Sequence, residues 1–491
     1  MTAFAEVSSV VASPPDGHAW DLLVIGGGTA GMVAAKTAAG FGASVLLVER
    51  DRTGGDCLWT GCVPSKALLA AAHAAASART AARYGVHVEG VRIDFVEVKE
   101  HVRAAIAAIQ PTDSPDALRE AGVAVAQGKA ILTGPETARV GEVDVRFRQA
   151  LLATGAGPAL PPIQGLAEAS PWTSESIWDL PALPDRLLIL GGGSIGCELG
   201  QAFARLGSEV TIVEALQQLL PREDADAAAI IADALVADGG TIRVGVSLTE
   251  VHADESGRSA LLSDGTTVAF DEVLVAVGRS PRTSDLGLVM AGVETDARGY
   301  VQVDERLRTT NSRIWAAGDV TGHPQFTHVA GVHGSIAASN AVLGLRRRAD
   351  VVTIPRVTFT QPEVASFGVD GERVLAHAGL RVRTVRHSAV DRATAEQDTQ
   401  GFTRLVLDAK GRIVGATIVG PRAAESLAEL VLAARQGLRS RSIAGAMHAY
   451  PTYSDGLWMA AVDDMRAWLR GSTPARVTSM LMGARRRWLS R

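Results

Sequence analysis

Cysteine and lysine are scarce in this chain. Of 491 residues only three are cysteines, Cys57, Cys62 and Cys197. Three thiols cannot staple a scaffold of this size, nor complete a four-cysteine zinc site. Five lysines stand among the 48 basic residues, a bias toward arginine read here as codon composition. The net charge is −5, which excludes the basic surface expected of a nucleic-acid binder. No apolar run reaches the ~18 residues needed to span a bilayer. The first twenty residues lack a basic start followed by a long apolar run, so no secretory leader is expected. The expected compartment is the cytoplasm, where structural disulfides are rare. Two cysteines five positions apart then need another explanation.

What is present is globular. Hydrophobic residues make up 47% and charged residues 21%, and the length suggests about three domains. Residues 1–20 are small, polar and proline-bearing and are expected to form a loose arm. Residues 21–25 (DLLVI) read as a buried strand, followed by glycines, an alanine-rich helix and a second strand over 43–48. The pattern recurs 165 residues later: a strand at 186–190, glycines, a helix to about Leu206 and a strand from Glu209 to Val213. That distance is too long for a solenoid repeat and implies two nucleotide-binding domains. Residues 67–83 and 97–109 are helical in period. The Gly–Pro-rich stretch 155–165 and the region of Gly278–Pro281 read as domain boundaries. From about 351, strands separated by turns lead into a helix from Ala423 to Gln436, which reads as an α+β domain. After Asp464 no acidic residue occurs, whereas seven arginines lie between Arg466 and Arg491. This is a basic, partly amphipathic tail.

The first glycine run spells Gly26-x-Gly28-x-x-Gly31. Its first glycine permits the tight turn, the second admits a pyrophosphate and the third lets helix and strand approach. The helix N-terminus then carries the anionic charge. Glu49 ends the second strand, where a carboxylate would bind ribose hydroxyls. In the second unit the glycines are Gly191, Gly193 and Gly196, and the terminal acid is Glu214. A carboxylate there repels a 2′-phosphate and no basic residue follows until Arg222, so NADH is expected in preference to NADPH. Two dinucleotide sites imply two cofactors, most simply a held flavin and an exchanging nicotinamide.

Residues 54–66 read GGDCLWTGCVPSK. A helix starting near Cys57 would favour a thiolate through its dipole. Spacing alone accommodates a disulfide, two free thiols or half a metal site. The segment resembles the redox-active disulfide motif of the pyridine nucleotide–disulfide oxidoreductases, which include dihydrolipoamide dehydrogenase, glutathione reductase and mercuric reductase. The resemblance runs from about residue 21 to about 460. It takes in both glycine fingerprints, Ala153-Thr-Gly155, Ala317-Gly-Asp319, Phe359-Thr-Gln-Pro-Glu363 and Tyr450-Pro-Thr452.

The resemblance implies an α/β fold: two Rossmann-like domains, for FAD and for the nicotinamide, plus a C-terminal α+β dimerisation domain. It implies FAD binding by 21–160 and 280–350, nicotinamide binding by 161–279, a homodimer interface over 351–470, and a basic tail over 471–491. Gly155 and Asp319 would serve FAD, and Gly278 the nicotinamide. Cys57–Cys62 would be the redox disulfide, with Cys57 the interchange thiol and Cys62 facing the flavin. Lys66 would lie near the flavin, paired with Glu198. No resident metal site is expected.

Two departures bear on the substrate. The family's disulfide reductases carry His-Pro-Thr near the C-terminus, whose histidine is an acid/base. Here Tyr450 occupies that position, with Asp455 at the carboxylate position, and a phenol is a poor base at neutral pH. His448 two residues earlier reads as structural. Mercuric reductases share the tyrosine, because a soft metal binds thiolates without a proton-shuttling histidine. They also carry a C-terminal cysteine pair for metal delivery, which these residues lack, as they lack an N-terminal cysteine-paired domain. Cys197 reads as core packing. Trp59, between the two cysteines, could narrow access, stack on a substrate or pack at the dimer interface.

The expected activity is electron transfer from NADH (or NADPH) through FAD and the cysteine pair to a disulfide, a soft metal ion or a small redox protein. Alternatives are a dihydrolipoamide dehydrogenase-like reductase, a membrane-associated quinone or diaphorase-type reductase, and a slow flavin redox sensor. A weak membrane-surface contact through the basic tail is a further expectation, weighed against a solvated or dimer-packed end.

Overall fold

The computed structural model describes residues 19–254, 257–369 and 379–490. The arm expected over residues 1–20 lies outside the described residues up to 18. Trp20, assigned to that arm, instead opens the first strand, Trp20–Ile25. It is 5% exposed and pairs with Phe147. The chain divides into two compact units: Met1–Ala215 with Gly239–Val351, and Leu216–Asp238 with Val352–Arg491.

The first unit holds both dinucleotide-type sheets. In one, the strand order is Ala124–Gln127, Val45–Glu49, Trp20–Ile25, Val143–Leu152, Thr137–Val140, Ala130–Gly134, and Ile314–Ala316 also pairs with Val143–Leu152. Trp20–Ile25 runs parallel to both of its neighbours. Its side chains alternate between two cores: Leu23 and Ile25 join one, Leu22 and Val24 the other. A strand covered on both faces needs an unbroken apolar run, which is why this segment does not alternate with polar residues.

The second sheet has the order Thr241–Val244, Glu209–Glu214, Arg186–Leu190, Glu272–Val275, Trp172–Thr173. In both sheets the first strand of the unit lies between two later strands, so the chain runs out from it in opposite directions across the sheet. That is a topological switch point, with a crevice at the strand ends. The two sequence-marked boundaries meet in a two-stranded antiparallel ribbon, Ala156–Pro158 against Arg279–Pro281.

The second unit is built on an antiparallel sheet ordered Arg356–Thr358, Glu363–Gly368, Ile413–Gly420, Phe402–Leu407, Arg381–Arg386. Helices Ala423–Arg435 and Asp455–Leu469 close its core through Leu427, Leu430, Leu457 and Ala461. Beyond a break at Gly471, the arginine-rich tail forms a helix, Ser472–Leu489.

Candidate active site

Both fingerprints fold alike. Gly26 has φ +110°, and a Cβ there would lie 2.4 Å from the carbonyl oxygen of Ala153. Gly191 has φ +104°, with its Cβ position 2.5 Å from that of Ala276. At Gly31 and Gly196 a Cβ would come within 1.9 Å of the Gly26 and Gly191 carbonyl oxygens respectively. These four positions are glycine because backbone fills the space a side chain needs.

The middle glycines differ. Gly193 faces open space and Gly28 has only the Gly55 Cα at 3.8 Å. Each is the N-cap of its helix, Thr29–Gly40 or Ser194–Leu206, with no side-chain cap and no acidic residue in the first turn. Two uncapped helix N-termini therefore point their N–H groups at open crevices, an arrangement suited to pyrophosphate. Glu49 accepts from the backbone N–H of Gly27 at 2.6 Å and of Asp51 at 2.8 Å. Glu214 accepts from Gly192 N–H at 2.7 Å and is buried. Each acid is thus locked against its own glycine turn. Gly155 (φ +71°) and Gly278 (φ +148°) flank the connecting ribbon.

The redox segment departs from the expected helix. A short helix, Gly55–Trp59, carries Cys57, and a separate 19-residue helix starts at Cys62. Gly54 and Gly55 both have positive φ, and Gly61 lies so close to the Asp56 carbonyl that a Cβ would sit 2.8 Å from it. The chain breaks there, and Pro64 occupies the first turn of the new helix, where its missing N–H costs nothing. The helix dipole therefore acts on Cys62 rather than on Cys57.

Both cysteines are free thiols, hydrogen-bonded to each other. The proton shared from Cys57 lowers the Cys62 pKa to about 6, assisted by Thr327 and the Lys66 ammonium. The same hydrogen bond to Cys62, with burial, raises that of Cys57. The hydrogen bond between them thus favours the thiolate on Cys62 and the proton on Cys57. Thr327 Oγ1 lies 3.2 Å from Cys62 Sγ. Lys66 Nζ donates to Glu198 Oε2 at 2.8 Å, so the expected ion pair is present. Glu198 is buried on the second fingerprint helix. Its neighbour Cys197 is also buried, is raised in pKa by that burial, and donates to the Gly192 carbonyl oxygen at 3.4 Å. That is a core position.

The residues between the cysteines are clamped. Trp59 Nε1 donates to the Thr53 carbonyl oxygen at 2.7 Å, and the Arg52 guanidinium stands 4.0 Å above its ring. Leu58 is 1% exposed. Trp178 Nε1 donates to the Thr60 carbonyl oxygen at 2.9 Å. Trp59 is accordingly turned back onto its own chain.

Behind Cys57 lies an ion network that the sequence did not reveal. Asp56 pairs with Arg279 and Arg282, Arg282 with Glu175, and Arg279 with Asp319 at 3.5 Å. Asp319 follows the N-cap Gly318 as the first residue of a short 3-10 helix, and does not cap it. Burial raises its pKa, against the lowering effect of Arg279. Of its members, Asp319 is expected from the resemblance to bind the flavin and Arg279 lies in the boundary segment, but nothing in the sequence links them to Asp56, Arg282 or Glu175. Thr327 and Trp178 carry no local hint.

Tyr450, Asp455 and His448 lie in the second unit. Tyr450 Oη donates to Asp391 Oδ2 at 2.5 Å, and this carboxylate raises the phenol pKa. Asp455 accepts from Thr452 N–H at 3.1 Å. His448 Nε2 lies 3.2 Å from the Glu429 carboxylate, a satisfied pairing. No group of three or more metal-ligating side chains occurs among the described residues.

Two dinucleotide cradles around a thiol pair define a nicotinamide-linked redox enzyme. The chain belongs to the pyridine nucleotide-disulphide oxidoreductase family: that family's model matches residues 20–334, and the model of its dimerisation domain matches 354–461. It is 38% identical to a mercuric reductase of Streptomyces lividans over 90% of this chain and 95% of that protein. It is 34% identical to a dihydrolipoyl dehydrogenase of Chlamydia muridarum over 89% of this chain and 95% of that protein. Among solved structures it is similar to the Cu(II) complex of the HOCl-induced flavoprotein disulfide reductase RclA of Escherichia coli. The TM-score is 0.80 at 30% identity, over 89% of this chain and 98% of that one. The chain is therefore a FAD-dependent, NAD(P)H-linked oxidoreductase with a redox-active cysteine pair and a dimerisation domain that supports a homodimer.

Proposed function

We propose that this enzyme uses NADH to reduce the Cys57–Cys62 pair and that its acceptor is a thiophilic metal ion such as Hg(II) or Cu(II). The observation that carries the reading is a thiol pair whose surroundings favour a thiolate on Cys62, in a chain with a tyrosine, Tyr450, where the family's disulfide reductases carry their acid/base histidine. With Cys62 lowered to about 6 and Cys57 holding the proton, a thiolate is ready at neutral pH without an external base. Tyr450 is already donating to Asp391. It has no proton-accepting role to play toward a disulfide substrate, whose leaving thiolate needs an acid/base. A soft cation needs none, since it binds sulfur directly. Two of the relatives named above fit a metal acceptor, one a mercuric reductase and one obtained with Cu(II), whereas the third is a dihydrolipoyl dehydrogenase.

The uncapped helix beginning after Gly28, with Glu49, Gly155 and Asp319, would hold the flavin. That beginning after Gly193, with Glu214 and Gly278, would hold NADH. Bound flavin supplies acceptance of a nicotinamide hydride and delivery of the electron pair to a disulfide. This chain's residues then do three things. Glu198 fixes the Lys66 ammonium near Cys62, where it stabilises the thiolate. Cys57 releases its proton as it binds the metal. The two sulfurs return two electrons, to one Hg(II) or two Cu(II), as the disulfide re-forms. Glu214, locked on Gly192, presents a fixed negative charge where NADPH carries its 2′-phosphate, which favours NADH.

Anaerobic titration with NADH tests this. A long-wavelength thiolate–flavin band is expected, discharged faster by Hg(II) or Cu(II) than by lipoamide, oxidised glutathione or quinones. Faster turnover with lipoamide than with either metal ion, or a higher kcat/KM for NADPH, would overturn the respective part.

A further inference from the structure

The segment after Asp464 carries seven arginines and no acid on a chain of net charge −5. Its helix, Ser472–Leu489, places Val477, Met480, Leu481, Ala484 and Trp488 at i, i+3, i+4, i+7 and i+11, which is one face at 3.6 residues per turn. Val477, Met480, Leu481 and Trp488 are 50%, 73%, 64% and 63% exposed. By the same geometry Arg476 and Arg487 border one edge of the stripe and Arg485 the other. All three are exposed. The Arg485 guanidinium stands 4.1 Å over the Trp488 ring. An apolar stripe with a tryptophan, edged on both sides by arginines, matches the interface between acyl chains and phosphate headgroups.

We propose that this helix docks the enzyme, lying in plane, on an anionic lipid surface. The stripe enters the acyl boundary, and Arg476, Arg485 and Arg487 reach the headgroup phosphates. Charge decides between this occupant and a second copy of the helix. Two such faces related by a two-fold axis would set arginine against arginine, with no acid in the segment to compensate. The rest of the chain is more acidic than its net charge indicates, so an anionic bilayer repels the body and attracts the tail.

Co-sedimentation of the full chain with phosphatidylcholine vesicles, with and without phosphatidylglycerol, tests the proposal. Binding is expected only with phosphatidylglycerol, and it should weaken as salt rises. Replacing Arg476, Arg485 and Arg487 by Gln together should lower the partition constant on the order of 100-fold. Leu481→Ser with Trp488→Ser should also abolish binding. Both variants should keep wild-type NADH-driven turnover in solution, which shows them folded. Failure of the wild-type chain to bind, or undiminished binding by the variants, overturns the proposal. So does dissociation of the dimer in sedimentation velocity of either variant, which would assign the stripe to a second copy. Vesicle binding is read without turnover, so its failure leaves the proposed redox chemistry standing.

Discussion

Cys62 and Cys57 show how two like residues become unlike through their surroundings. Cys62 heads a long helix, accepts from its partner and sits within reach of the Lys66 charge. Cys57 gives up its hydrogen bond to Cys62 and is buried, and its contact with Thr327 only partly offsets the two. In the NADH-reduced enzyme the thiolate–flavin band should persist through neutral pH and lose half its intensity near pH 6. In Cys57→Ala, which removes the donated proton, the midpoint should move up toward the ordinary thiol range. A midpoint near 9 in the wild type would sink the assignment. The same lowered pKa bears on the stability of the reduced state. Between the folded value of about 6 and the ordinary thiol value, the folded form is deprotonated while the unfolded form is not. Stability from this group therefore rises with pH across that window and is lost as pH falls through 6.

At the scale of elements, each glycine fingerprint is a strand, a turn and a helix forced into contact. Gly196→Ala would drive a methyl into the Gly191 carbonyl. Its expected cost is about 2 kcal/mol, seen as a lower Tm, together with a raised KM for NADH and an unchanged flavin spectrum. An unaltered Tm and KM would remove the steric argument. These units were legible in the sequence because buried parallel strands, glycine turns and terminal acids follow one another locally. The break between the two cysteine-bearing helices was less so: a four-residue interval fits one helix as well as two, although Pro64 marks a first turn. The Lys66–Glu198 pair was reachable only through family resemblance, since 132 positions separate its members. Thr327, 265 positions from Cys62, and the Glu175–Arg282–Asp56 network had no periodic trace to follow. Trp59 was open to three readings; its bond to the Thr53 carbonyl and the Arg52 guanidinium over its ring hold it against its own chain.

At the largest scale, the first unit ties its nucleotide-binding segments to the redox loop by side chains rather than by sheet. Glu175 and Trp178 reach Arg282 and the Thr60 carbonyl respectively, and Arg282 also reaches Asp56, one residue before Cys57. Arg282→Ala should cost about 2 kcal/mol of stability. It should also slow reduction of the cysteine pair about tenfold, the loss produced by 1.4 kcal/mol at the barrier. KM for NADH should stay near wild type, because Arg282 does not line the Gly191–Gly196 turn. Rapid-mixing absorbance separates the two effects, and unchanged reduction kinetics would reduce the network to a structural one.

The proton held on Cys57 while Cys62 stays charged has an electrochemical consequence. Forming the reduced pair takes up two electrons but only one proton across the neutral range. The midpoint potential of the couple therefore falls by about 30 mV per pH unit there, half the slope of a dithiol that binds both protons. Below about pH 6 the second proton binds and the slope doubles. Acidification thus weakens the reducing power of the couple only gently until Cys62 protonates, so its driving force toward a metal acceptor is buffered against modest swings in pH.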